Sequence, residues 1–155
     1  IKHIAAATGS TSEAAVQKIL NLHETALIDM GDFAGGLLKY LRQNPIERLT
    51  IAGGIGKLTK LAQGAMDLHS SRSQVNMIGL ANVLIQLGAE ADAVNKARKA
   101  NTTSEVLELA QKIDLPLGNI IARQARESAL ATLSGGTKIN VMVFDRNGKC
   151  VGSTT

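Results

Sequence analysis

Three apolar stretches begin near Lys2, Thr25 and Arg48, 23 residues apart each time. Each runs into a glycine-bearing loop: Thr8-Gly9-Ser10, then Met30-Gly31-Asp32, then Gly53-Gly54-Ile55-Gly56. That interval holds a strand, a short helix and two turns, and leaves room for little else. Successive strands can pair in parallel only if the chain is carried back between them, which a helix does with all its backbone hydrogen bonds made internally. The pattern therefore predicts parallel strands over about 2–7, 25–29 and 48–52 with helices between them.

Local signals support the helices. Ser10-Thr11-Ser12-Glu13 has the Ser-x-x-Glu capping pattern ahead of Ala14, Val16 and Ile19. Asp32 can cap the next helix, which carries Leu37, Leu38 and Leu41 and stops near Asn44-Pro45. A third helix is expected from about Lys57. The second half reads as helical over 73–87, 90–100 and 102–113, the last opened by Thr102-Thr103-Ser104-Glu105, and again from near Pro116. Gly135-Gly136 ends that helix, and 138–144 reads as a buried strand. Asn147-Gly148 is a hairpin signal that turns Cys150-Val151 back against it. The expected architecture is one α/β domain over residues 1–155. It has three layers: a mainly parallel, Rossmann-like sheet, helices on both faces and an antiparallel edge strand.

Several function classes recede on composition. Aromatic residues are 2% of the chain, Phe33, Tyr40 and Phe144, with no Trp. Stacking platforms for single-stranded nucleic acid need more aromatic faces than that. The net charge of +4 suits an anionic small molecule without demanding nucleic acid. No apolar run reaches the roughly 18 residues of a membrane span. A single cysteine, Cys150, excludes an internal disulfide and fits a cytoplasmic location. His3, His23 and His69 lack metal-ligand spacing, so no metal is expected. The chain opens on Ile1 rather than Met, as a piece of a longer protein would.

Ligands of open α/β sheets bind beyond the carboxyl ends of the strands, where the three loops lie. Thr8 and Ser10 stand at a helix start, where free backbone N–H groups favour an anion. The alternative is that Ser10 merely caps that helix. Asp29, Gly31 and Asp32 combine acceptors for ribose hydroxyls with a backbone that admits close approach; a tight turn with Asp32 as a cap is the competing reading. Gly53, Gly54 and Gly56, followed by Lys57, invite comparison with a phosphate-binding P-loop. The pattern fails, because Ile51 stands where its first glycine belongs and Leu58 where its hydroxyl belongs. Lys57 and Lys60 remain as anion contacts or as solvated lysines. Asp67-Leu68-His69-Ser70-Ser71-Arg72-Ser73 packs an acid, an imidazole, three hydroxyls and a guanidinium into seven residues. Arg72 can fork onto a carboxylate and His69 can donate or move a proton.

These stretches also carry a resemblance. Thr8 to Ala15, Met30 to Tyr40, Leu49 to Gly64 and Asp67 to Ser73, with Val143 to Gly148 at the end, resemble the C-terminal part of the CbiD family of cobalamin biosynthesis, in order and over nearly the whole chain. The resemblance implies an enzyme that moves a methyl group from S-adenosylmethionine to C-1 of cobalt-precorrin-5B, giving cobalt-precorrin-6A. It implies a chain whose own N-terminal region completes it, and a homodimer as one possible state. On that basis Asp29, Gly31, Asp32, Gly53, Gly54 and Gly56 are expected to cradle the cofactor. Thr8, Ser10, Lys57, His69, Ser70, Ser71 and Arg72 are expected to meet the carboxylates of the corrin precursor. No general base can be assigned. Two other readings stay open: a scaffold or dimerisation domain of that enzyme, and a free-standing sensor of a nucleoside or anion.

Overall fold

A computed structural model of the protein describes residues 2–154. Its sheet has five strands in the order β2-β1-β3-β4-β5. They are β1 (His3–Ala7), β2 (Leu27–Asp29), β3 (Arg48–Gly54), β4 (Lys138–Phe144) and β5 (Cys150–Ser153). The first four are parallel and β5 is antiparallel to β4. The seven helices are α1 (Ser10–Leu20), α2 (Ala34–Gln43), α3 (Ile55–Ala62), α4 (Met77–Gln86), α5 (Ala91–Lys99), α6 (Thr103–Lys112) and α7 (Leu117–Leu133). The expected three-layer α/β architecture with an antiparallel edge is what forms.

Alternation along the strands divides the core. Ala5, Ala52 and Phe144 turn to one face, under Val16 of α1. Leu49, Ile51, Ile139, Val141 and Val143 turn to the other, under Leu38, Leu58, Leu61, Ile121 and Leu133 of α2, α3 and α7. Each fully buried Leu or Ile contributes about 1.5–3 kcal/mol. The start of α7 presses on β5: a Cβ on Gly118 would overlap the Val151 carbonyl oxygen, and Asn119 Oδ1 accepts from the Ser153 N–H at 3.1 Å.

Local expectations are corrected in five places. The third strand runs on through Gly54 and α3 begins at Ile55, so Gly53 and Gly54 belong to β3 and Gly56 to α3 rather than to a loop. Glu24–Ala26 is a 3-10 turn, with His23 Nδ1 accepting from the Thr25 N–H, so the second strand shortens to Leu27–Asp29. Ser10 is the first residue of α1 rather than its cap; Gly9 precedes it in extended conformation, and no side chain caps the helix. Asp32 does not cap α2 either, because Phe33 occupies that position and the Asp32 carboxylate is held by Lys57. The fourth helix begins at Met77 instead of Ser73, capped by Asn76, whose Oδ1 accepts from the Gly79 N–H at 3.0 Å. Elsewhere the sequence signals operate as expected. Thr102 Oγ1 accepts from the Glu105 N–H at 3.2 Å, and Gly148 takes φ +80 in the β4–β5 turn.

Candidate functional site

The chain leaves β1 toward β2 on one side and returns to β3 on the other. Between the carboxyl ends of β1 and β3 the connections diverge, and a crevice opens there as a matter of topology. It has a volume of about 320 Å³. Thr8, Gly9, Ser10 and Thr11 form one wall, Gly54 and Lys57 the other, and Phe144 and Asp145 at the end of β4 close it. The N-termini of α1 and α3 both lack a side-chain cap. Their first-turn N–H groups and the hydroxyls of Thr8 and Ser10 make this a donor-rich wall, suited to a carboxylate or phosphate oxygen.

Lys57 links the crevice to the loop after β2. Its Nζ lies 2.7 Å from Asp32 Oδ1 and donates to the Leu68 carbonyl at 3.1 Å. That hydrogen-bonded ammonium holds the Asp32 carboxyl below the usual carboxylate range. Leu68 is buried, and its N–H donates to the Asp32 carbonyl at 2.8 Å; the Gly35 N–H donates to Met66 at 3.2 Å. Residues 66–68 thus form a strap across the start of α2. A second ammonium, Lys60 Nζ, donates to the same Leu68 carbonyl at 3.0 Å. Burial, with the Lys57 charge beside it, pushes the Lys60 ammonium below its ordinary value.

The expected site residues fall into three groups. Thr8, Ser10, Gly54 and Lys57 share the crevice, and Asp32 joins it through Lys57. His69, Ser70, Ser71 and Arg72 are exposed on a turn beyond the strap. Much of that turn is internally bonded. His69 Nδ1 accepts from the Ser71 N–H at 3.1 Å. Arg72 Nε lies 3.4 Å from Asp67 Oδ2, with its guanidinium 6.0 Å from the centroid of the exposed Phe33 ring. Asp29, Gly31, Gly53 and Gly56 have structural duties of their own. Asp29 Oδ1 accepts from the Gly31 N–H at 3.0 Å, and Gly31 holds φ +59, a conformation glycine adopts without strain. A Cβ on Gly53 would overlap Leu58 Cδ2, and one on Gly56 would stand 3.3 Å from Thr103 Oγ1.

Sequence reasoning passed over Asp145, whose signal was its place at the end of a fourth parallel strand. Its Oδ1 accepts from the Asn147 and Lys149 N–H groups at 2.9 and 3.0 Å, which ties the crevice to the hairpin. Among the described residues, no helix is long and apolar enough to cross a membrane.

Residues 67–155 match the model of the family described as "CbiD, C-terminal domain". The chain belongs to the CbiD family. A curated relative from Paramagnetospirillum magneticum, named cobalt-precorrin-5B C(1)-methyltransferase, is 56% identical over 151 residues, covering 97% of this chain and 42% of the relative. Relatives of the same name from Brucella ovis and Brucella melitensis are 55% identical over 148 residues, covering 95% of this chain and 40% of each relative. The chain spans about two-fifths of the length of these CbiD proteins. No solved structure matches it. The first sixty-six residues lie outside the matched family domain, although nearly all of them fall within the 151 residues aligned with the relative, and they supply both walls of the crevice.

Proposed function

We propose that this chain forms part of a cytoplasmic, S-adenosylmethionine-dependent methyltransferase acting on C-1 of cobalt-precorrin-5B, and that the crevice between β1 and β3 is where methyl donor and corrin edge meet. Family membership through relatives of that name supports the reaction, and the donor-rich crevice at the topological switch point carries the placement. When bound, S-adenosylmethionine supplies an electrophilic methyl group on a positively charged sulfur.

The residues present suit that cofactor. Gly54 has ordinary extended backbone and open space at its Cβ, with only the Phe144 carbonyl at 4.0 Å, so a ligand can approach the main chain there. Gly53 and Gly56 sit beside it, close against Leu58 and Thr103 at the junction of β3 and α3. Asp32 and Asp29 offer carboxylates at the neighbouring strand end for ribose hydroxyls or an ammonium group. Thr8, Ser10 and Lys57 line the crevice itself and would bind substrate carboxylates. Arg72, His69, Ser70 and Ser71 would take more distant arms of the polycarboxylate ring, Arg72 with its guanidinium fork. The main catalytic contribution of these groups is alignment of the ring carbon with the methyl carbon, which converts an encounter into a positioned displacement.

Calorimetric titration with S-adenosylhomocysteine tests this. Binding at micromolar strength is expected for the folded 155-residue chain, and is expected to be lost on Asp32→Asn. Unchanged affinity in that variant would remove Asp32 from the cofactor site.

A further inference from the structure

A second cleft, of about 470 Å³, lies between α3, α4 and α7 and shares no lining residue with the crevice. Its polar lining is one lysine and a set of amides: Lys60, Gln63, Gln74, Asn76, Gln86 and Gln124. Among the described residues, no acidic side chain lines it. The amide acceptors at its centre are already occupied. Gln63 Oε1 accepts from the Asn76 N–H at 2.8 Å, and Asn76 Oδ1 accepts from the Gly79 N–H at 3.0 Å. Gln63 Nε2 donates to the Asn76 carbonyl at 3.0 Å and so locks the pair. Donors are left over. Lys60 is 91% buried, being 9% exposed, and its ammonium has three N–H groups. Among the described residues the Leu68 carbonyl is the hydrogen-bond partner found for it. Neither Asp32 nor Asp67 forms an ion pair with it.

We infer that this cleft is a carboxylate-binding subsite organised by Lys60, with the Asn76, Gln86 and Gln124 amides as neutral donors, and that it takes a carboxylate arm of the substrate. Asp32 and Asp67 act on this ammonium from beyond the cleft lining without pairing with it; a buried cation in a cleft lined by neutral amides, whose N–H groups can turn toward an anion, favours an anion. One positive charge without an arginine fork matches a singly charged carboxylate better than a phosphate dianion. The depression of the Lys60 ammonium is of the kind that an arriving carboxylate relieves. Lys57 and Lys60 share the Leu68 carbonyl, so crevice and cleft are joined through one backbone oxygen. A large ring bearing several carboxylate arms can engage both. Assigning the arm to the substrate rests on the methyltransferase reading; the carboxylate chemistry of the cleft does not.

The test follows side-chain amide and Lys60 ammonium resonances of the 155-residue chain during titration with three probes: uroporphyrin (a tetrapyrrole polycarboxylate), glutarate, and neutral glutaramide. Uroporphyrin and glutarate are expected to shift Gln86, Gln124 and Lys60, and glutaramide to leave them in place. Lys60→Met is expected to weaken both acids by at least about ten-fold. Gln124→Glu, which places a carboxylate of the protein's own in the cleft, is expected to do the same while keeping the fold, so it decides the matter if Lys60→Met does not fold. Equal affinity in the folded variants, or equal shifts with glutaramide, would overturn the subsite. Glutarate bound through Lys60 with uroporphyrin excluded would keep the carboxylate site and refute the substrate-arm assignment. Absence of both acids alongside S-adenosylhomocysteine binding would refute the cleft and leave the methyltransferase reading standing.

Discussion

The two ends of the sheet treat their polar groups in opposite ways. At the amino ends, side chains bind across elements and close the fold. His3 Nε2 meets Thr50 Oγ1 at 2.7 Å, and Thr137 Oγ1 accepts from the Ile46 N–H at 3.1 Å. Arg42 donates to the Leu133 carbonyl at 2.8 Å and to the Thr132 carbonyl, finishing the last turn of α7. At the carboxyl ends, α1 and α3 begin without caps, and the hydroxyls of Thr8 and Ser10 line an open crevice. One end uses its hydrogen bonds for stability. The other keeps donors available, which is the condition for binding something the chain does not itself contain.

Adjacent glycines give the largest contrast. Gly53→Ala drives a Cβ into Leu58 and Thr8 and should cost about 1–3 kcal/mol by overpacking. Gly54→Ala meets nothing nearer than 4.0 Å and should leave urea denaturation nearly unchanged. Equal losses would mean that Gly54 serves packing, as Gly53 does. Next comes Arg42→Ala, expected to cost about 0.5–1.5 kcal/mol, chiefly through the part-buried Leu133 carbonyl that loses its donor, with S-adenosylhomocysteine affinity unaltered; a matching loss of affinity would erase the division between the ends. Lys57→Met should change stability by less than about 1 kcal/mol, because the ion pair is partly exposed and Lys60 still serves the Leu68 carbonyl. In that variant the Asp32 carboxyl, followed by NMR, should titrate higher than in the wild type.

The smallest effect is the pH response of His3, lowered by burial and then by the Arg48 charge. The unfolded chain binds this proton more readily. Stability from this group is therefore complete above its unfolded value near 6.5 and declines as pH falls from there toward the folded value. His3→Gln should flatten that slope, measured as denaturation midpoint against pH.

The sheet was legible because the information is local: apolar stretches at a constant interval, glycines after each strand, and Asn-Gly before the last. The start of α4 was not. Residues 69–73 contain the residue types that cap helices, but here they bond within their own turn. In the crevice, Thr8, Ser10, Gly54 and Lys57 were legible from the strand-end rule alone. Lys60 read as either an anion contact or a solvated lysine, because its burial depends on Leu68 folding back over it from eight residues on, and no local pattern encodes that closure. Asp145 stood only within the stretch that carries the family resemblance, and its position at the end of a parallel strand went unread.

On the proposed function the open carboxyl ends of the sheet hold the methyl donor. Backbone amide shift mapping during S-adenosylhomocysteine titration decides this. Shifts are expected to group on Thr8 to Ser12, Asp32 and Gly54 to Lys57, with His3, Arg42 and Thr137 unmoved. Shifts grouped at the amino ends, or none at saturating ligand in a chain with a folded spectrum, would contradict it.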